Sequence, residues 1–314
     1  MQKIKVGLLP LLITLFGLNC IAQKTVGVTF TEGGKGAGID SGLIDKTSYA
    51  TPSTLPSDKD SNAEAVALLE FTAKENGSRD GYPFQISEVR ISTSGTADIA
   101  DLRFVIDGPG INNVSGENNG KTVTFKDFGD IIVTDGDQTG KTYQIKALLR
   151  PNIQGSLADN STLTIQFNPI NDISVASASS NLLQNVTAMA STATTITITA
   201  TQLQGKNSFN SLTATATADF PGSQSIYATD DNGRLDTDFT ELVTLSPHTS
   251  VCPNPAPGTL SSGEGGNLQH AAVAGIATWA DLKYSQTGTI RIRASSTSIT
   301  AADKVLCSAQ VTVN

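Results

Sequence analysis

Aromatic residues make up only 5% of this 314-residue chain, tryptophan occurs once and histidine twice. So few rings argue against a stacking cleft for sugars or bases. The two histidines, His248 and His270, sit in stretches rich in Pro, Gly and Ser, with no HExxH and no metal-ligand spacing around them. A GxSxG nucleophile elbow is also missing. Charge is sparse at 16% and leans acidic, with a formal net charge of −8. That balance offers no counter-charge to phosphate, which excludes nucleic acid as the expected partner. No residue stands out as catalytic, so the expectation is a non-enzyme.

Long apolar runs are absent beyond the first residues. MQKIK carries Lys3 and Lys5, and Val6–Leu18 is an apolar core of 13 residues. A bilayer span needs about 20. The pattern predicts a signal peptide over 1–22, cleaved after Ala22. A lipid anchor on Cys20 is the alternative, but Gly17-Leu18-Asn19 puts a bulky residue and an amide where small ones are wanted. The mature chain is then expected to be secreted or held at the cell surface, with no membrane span.

Cysteine is scarce too. Loss of Cys20 with the leader leaves Cys252 and Cys307, and an even pair in an oxidising compartment predicts a disulfide. Val305, Cys307, Ala309, Val311 and Val313 alternate, which points Cys307 inward. Two separately buried thiols are the alternative.

What the chain does contain is period-2 alternation. Leu102, Phe104 and Ile106 share a face, as do Tyr143, Ile145, Ala147 and Leu149, then Leu163, Ile165 and Phe167, and Ile196, Ile198 and Ala200. The habit continues in Leu212, Ala214, Ala216 and Ala218 and in Ile290, Ile292 and Ala294. Such runs between Gly/Asn/Asp-rich turns predict an all-β chain of antiparallel sandwiches. Two tandem domains are expected, at 24–198 and 199–314, with the seam near Thr199–Lys206. In PFQISEVRI the apolar phase slips between Ile86 and Val89, the mark of a β-bulge. Thr25–Phe30 reads as a first strand, Glu32–Asn62 as a long loop, and Ser180–Ser191 as the one place for a helical turn.

Acids gather twice. Asp230, Asp231, Asp236 and Asp238 crowd around Asn232-Gly233, a strong hairpin signal because both residues tolerate positive φ. A turn with Asp231 bonded to its backbone is the expectation; a cation shared by Asp236 and Asp238, which point the same way on an extended strand, is the alternative. Asp127, Asp130, Asp135 and Asp137 form the second group, and Asp135 with Asp137 in a Gly-containing loop is the better candidate for weak calcium. Two stretches imitate a phosphate loop, Gly116–Thr122 and Gly136–Thr142. Each has three residues between its glycines where a P-loop has four, and each runs into a strand rather than a helix, so both read as hairpin turns. Gly33–Gly38 fails as a GxGxxG fingerprint, because its final glycine would be Ile39 and no helix follows. Trp279 reads as packing between sheets.

The stretches ATDDNGRLDTDFTELVTLS, GTLSSGEGG and AVAGIATWADLKYSQTGTIRIRASS, with a closing VTV, resemble Ig-like repeats of very large secreted Bacteroidota proteins. The match spans about 220–313, and the first half is similar to companion modules of those proteins. The resemblance implies an Ig-like second domain within a surface array, with no catalytic or cofactor residues to carry over. It also implies partners of two kinds: a protein or glycan surface, or flanking repeats of the same chain. A scaffold or adhesin module that spaces or displays loops is the first functional class. The non-catalytic N-terminal region of a larger secreted hydrolase is the second.

Overall fold

The computed structural model describes residues 41–314 apart from 76–82, 130, 152–156, 177–180, 183–186, 207, 250–251, 253, 264–265 and 302–303. The signal peptide, the strand expected at Thr25–Phe30 and Gly33–Gly38 lie outside the described residues. The fold is all-β, with 51% strand against 4% helix. Alternation fixes which faces are buried. Leu163, Ile165 and Phe167 point into the core from Thr162–Phe167, and Ile290, Ile292 and Ala294 do so from Gly288–Ser295.

The described residues belong to one compact unit containing two hydrophobic clusters. The first runs from Ile44 to Ile196 and lies between a six-stranded and a nine-stranded sheet. Phe71, on Val66–Glu75 of the smaller sheet, meets Phe167 of the larger one with ring centroids 5.1 Å apart. Burying a ring like Phe71 stabilises by about 1.5–3 kcal/mol. The second cluster runs from Leu203 to Val313, bounded by sheets of three, six and two strands. Trp279, expected to pack inside, is fully buried within it.

The expected bulge is present. On Phe84–Gly95 both Phe84 and Ile86 are buried, then Val89, Ile91 and Thr93, and pairing with Ile173–Val175 slips opposite Ser87. The same strand also changes neighbours there, pairing Phe84–Ile86 with Ile131–Val133 and Val89–Ser92 with Thr122–Phe125. One extra residue thus lets a single strand serve two successive partners.

Four expectations need correction. Within the loop expected at Glu32–Asn62, the described part holds strands at Ser41–Lys46 and Thr54–Pro56. Both are short and contribute little alternation, but Ile44 and Leu55 are buried, and a Cβ on Gly42 would lie 2.1 Å from the Phe84 ring. Around Ser180–Ser191 the described residues are the strands Asn181–Leu182 and Met189–Ala190. Among the described residues the α-helix is Pro169–Asp172 instead, where proline opens the first turn and Asp172 accepts from the Asn168 N–H at 2.7 Å. The Leu212–Ala218 run is a strand only at Thr213–Ala214, since Thr217 takes φ of +66°. Pairing is mostly antiparallel, but three short strands pair in parallel, including Thr54–Pro56 with Thr194–Thr197. Long connections, which alternation does not reveal, bring these strands alongside.

Candidate functional site

The acidic stretch that stood out in the sequence lies where the two clusters meet. Asp230 is buried and closes the turn. Its Oδ1 accepts from the Asn232 and Arg234 N–H groups at 2.9 and 2.8 Å, and its carbonyl accepts from Gly233 N–H at 3.0 Å. Gly233 has φ of +78°, the conformation that selects glycine here. Asp230 Oδ2 pairs with Arg234 Nη1 at 3.2 Å, with side-chain exposures of 5% and 0%. Arg234 Nη2 then donates to the Arg150 carbonyl of the first half.

A second tie runs through Asp159. Its Oδ2 accepts from the Thr237 N–H and hydroxyl at 3.0 and 2.8 Å, and its Oδ1 accepts from Ile198 N–H at 2.8 Å. Asp236 Oδ2 accepts from Ala200 N–H at 2.8 Å, and Oδ1 from Asp238 N–H at 3.0 Å. Buried carboxylates satisfied by backbone amides hold geometry well, because leaving either partner unmade in a low dielectric is expensive. The result is a polar seam that clamps the linker 198–200 between both halves.

Several expectations change at this point. The backbone-binding acid is Asp230, whereas Asp231 is exposed and accepts from Lys304 Nζ at 2.8 Å and from the Thr201 hydroxyl. Asp236 and Asp238 lie in a turn, one buried and one exposed, so they do not form an extended pair. The Asn-Gly turn returns the chain only as far as a bridge between Thr229 and Leu235. The strands on either side, Gln224–Thr229 and Leu242–His248, belong to different sheets, so the stretch is a turn followed by a crossover. A cleft of about 550 Å³ opens beside it, between 56–60, 199–201 and 230–232. Three of its four carboxylates are ion-paired, Asp231 with Lys304, Asp58 with Lys59 and Asp230 with Arg234, and Asp60 is the fourth. Among the described residues, no three His, Cys, Asp or Glu side chains are grouped to hold a metal.

In the second acidic group, Asp137 Oδ1 accepts from the Thr139 and Gly140 N–H groups at 3.1 and 3.0 Å. Asp130 lies outside the described residues. Of the two phosphate-loop mimics, Gly116–Thr122 is a hairpin with Asn119 opposite Thr122. Gly136–Thr142 instead crosses from Ile131–Val133 in the nine-stranded sheet to Lys141–Leu149 in the six-stranded one. Both lead into strands, so neither presents a helix N-terminus to phosphate. Both histidines are on strands, His248 ending Leu242–His248 and His270 within Gln269–Ala271. His270 stacks on Trp279 with centroids 4.9 Å apart.

Cys252 and Cys307 are placed as a disulfide, with Cα atoms 6.4 Å apart. Cys307 is exposed rather than inward-facing. Arg293 faces Cys307 but Ile290 faces Val311, so the register slips by one residue, and Ser308 takes the inward place. The Ser308 hydroxyl accepts from Ile292 N–H at 2.8 Å, which satisfies the buried polar group.

Among the described residues, four carboxyls are held below their ordinary values. Lys304 and Thr201 hydrogen bonds lower Asp231, the Thr297 hydroxyl lowers Glu241, and the Ser262 hydroxyl lowers Asp281. Burial pushes Asp107 up, but its hydrogen bond and ion pair with Lys146, together with the Asn113 and Gly108 N–H groups, outweigh that, and the net direction is down. A depressed folded pKa means that the unfolded chain takes up protons first as pH falls. The stabilisation is therefore complete above the ordinary values of 3.8 and 4.5 and is lost as pH drops through the lower folded ones. Unfolding free energy should stay level from about pH 7 to about pH 5 and fall below about pH 4, with a shallower fall in Asp107→Asn. A rise in stability on acidification through that window would contradict these assignments.

Asp159 and Arg234 were not visible as site residues in the sequence. LADNST reads as an ordinary turn, and Arg234 as the flank of an Asn-Gly pair. An acid and an arginine four apart across a tight turn were the signal that could have been read.

No family model matches the chain, and no curated protein matches it. Solved structures do share some likeness. An Escherichia coli adhesin is 17% identical over 90% of this chain and 66% of its own, with a TM-score of 0.30. A glycosyl hydrolase family 2 member from Bacteroides cellulosilyticus is 8% identical over 78% of this chain, with a TM-score of 0.28. This chain spans only 23% of that enzyme. The major pilin subunit of Bacillus cereus is 12% identical over 88% and 69%, with a TM-score of 0.20. At such scores these likenesses carry no argument about function.

Proposed function

We propose that the chain is a non-catalytic extracellular or cell-surface scaffold, adhesin-like in build, that holds its loops at fixed positions. The observation that supports this reading is the seam. The acids best placed for chemistry, Asp159, Asp230 and Asp236, are buried and bonded to backbone amides and Arg234, which suits them to holding geometry. A carboxylate that must exchange protons or receive substrate needs an accessible oxygen. Among the described residues no helix is long and apolar enough to cross a membrane. The proposal keeps two tandem sandwich modules, with the boundary in the linker 198–200 that the seam clamps.

Calorimetry with a nucleoside triphosphate and incubation with sugar polymers test the non-catalytic reading. Neither heat of nucleotide binding nor soluble sugar should appear. Hydrolysis that is lost on Asp159→Asn or Asp236→Asn, in a chain that still folds, would overturn it.

Calcium, if it binds, belongs at Asp135 and Asp137. Asp137 already accepts two backbone N–H groups through Oδ1, and two carboxylates supply few of the six to eight oxygens calcium takes. Half-saturation should fall at about 0.1–1 mM, the range of extracellular modules. Titration followed by thermal melts should show stabilisation that disappears in Asp135→Ala and survives Asp238→Ala. The reverse pattern would move the site to the seam.

A further inference from the structure

We infer that Asn119 is a built-in site of spontaneous deamidation, whereas Asn232, with the same following residue, is protected by the fold. In Asn-Gly sequences the glycine N–H gives its proton to solvent base and its nitrogen attacks the asparagine Cγ. The new N–Cγ bond closes a succinimide as the Cγ–NH₂ bond breaks and ammonia leaves with a proton from water. Water then opens the ring at either carbonyl, giving aspartate or isoaspartate. No oxidant or cofactor is needed, so local geometry decides the rate.

The two described Asn-Gly pairs differ sharply in that geometry. Asn119, Gly120 and Lys121 form the tip of a two-residue hairpin between Glu117–Asn119 and Thr122–Phe125, and all three are exposed. Gly120 has φ of +58°, a Cβ built on it would meet nothing within 4 Å, and among the described residues no group accepts from its N–H. The nucleophile and the ring that forms are both open to water. At the other pair Gly233 N–H is held by the Asp230 carbonyl at 3.0 Å, and Asn232 N–H by the Asp230 carboxylate at 2.9 Å. Asp230 is itself locked by Arg234. Ring closure there requires the turn to open first.

The modification would have a local consequence. Glu117–Asn119 ends the order of the nine-stranded sheet, and the Asn118 amide ties that edge to the Ile99 and Leu102 carbonyls at 2.6 and 3.0 Å. Isoaspartate adds a methylene to the main chain and breaks the pairing of Asn119 with Thr122. The edge would then fray and expose unpaired N–H and C=O groups of Thr122–Phe125, the kind of edge other strands pair with.

Timed incubation of the intact chain at neutral pH, with peptide mapping that separates aspartyl from isoaspartyl products, tests this. Asn119 should convert at least about tenfold faster than Asn232, the factor that follows from one amide hydrogen bond that must open. In the denatured chain the two rates should converge, and Gly120→Ala should slow Asn119 alone. Equal rates in the folded chain, faster loss at Asn232, or a difference that persists after denaturation would overturn the inference. Asn76-Gly77 lies outside the described residues and is followed as a separate peptide.

Discussion

Replacing Asp230 with alanine should lower the unfolding free energy by about 3–5 kcal/mol, the range for breaking one side of a buried ion pair. The size follows from what is left behind. Arg234 has no exposed side-chain surface, and its charge would remain buried without its carboxylate. The turn amides of Asn232 and Arg234 would also lose their acceptor, at about 1 kcal/mol each. Urea titration measures the loss as a lower midpoint with an unchanged slope. The double variant Asp230→Ala/Arg234→Met should recover part of it, because removing both charges relieves the unpaired one. A loss below about 1 kcal/mol in the single variant would mean the pair is already reached by water.

Reduction of Cys252–Cys307 should have the next largest effect. The bridge closes a separation of 55 residues, for which the chain-entropy estimate is about 4 kcal/mol. Because Cys307 is exposed, a small thiol should reach it without prior unfolding. Mass spectrometry of protein from an oxidising compartment should find no free thiol, and reduction should lower the melting temperature. Both thiols free in such protein would contradict the pairing. Hydrogen exchange should place the loss of protection among residues of the second cluster, since both cysteines belong to that side of the seam.

Much of the fold was legible because alternation is a local signal. Leu163, Ile165 and Phe167 declared a buried face in six residues, and the slip between Ile86 and Val89 declared its bulge. Elements were missed where the cause of structure lies elsewhere in the chain. Ser41–Lys46 is a strand because Gly42 admits the Phe84 ring and Phe71 lies opposite Lys46. Cys307 faces outward because one slip of register against Gly288–Ser295 outweighs the alternation of its own strand. Turn chemistry was half legible. Asn232-Gly233 marked the turn correctly, but the acid that closes it is Asp230, one residue earlier than expected. Where the chain goes after that turn was not legible at all, since a hairpin and a crossover begin with the same residues. The seam was the least visible part. Asp159 lies 78 residues from Thr237, and neither neighbourhood says that they meet.

Residual dipolar couplings on the weakly aligned intact chain test that seam most directly. Amides from the strands around Phe71 and from those around Trp279 should fit a single alignment tensor. In Asp159→Ala, which removes the acceptor for Thr237 and Ile198, the two groups should need separate tensors. Two independent tensors in the unaltered chain would contradict a rigid junction, and with it the reading of these buried acids as structural.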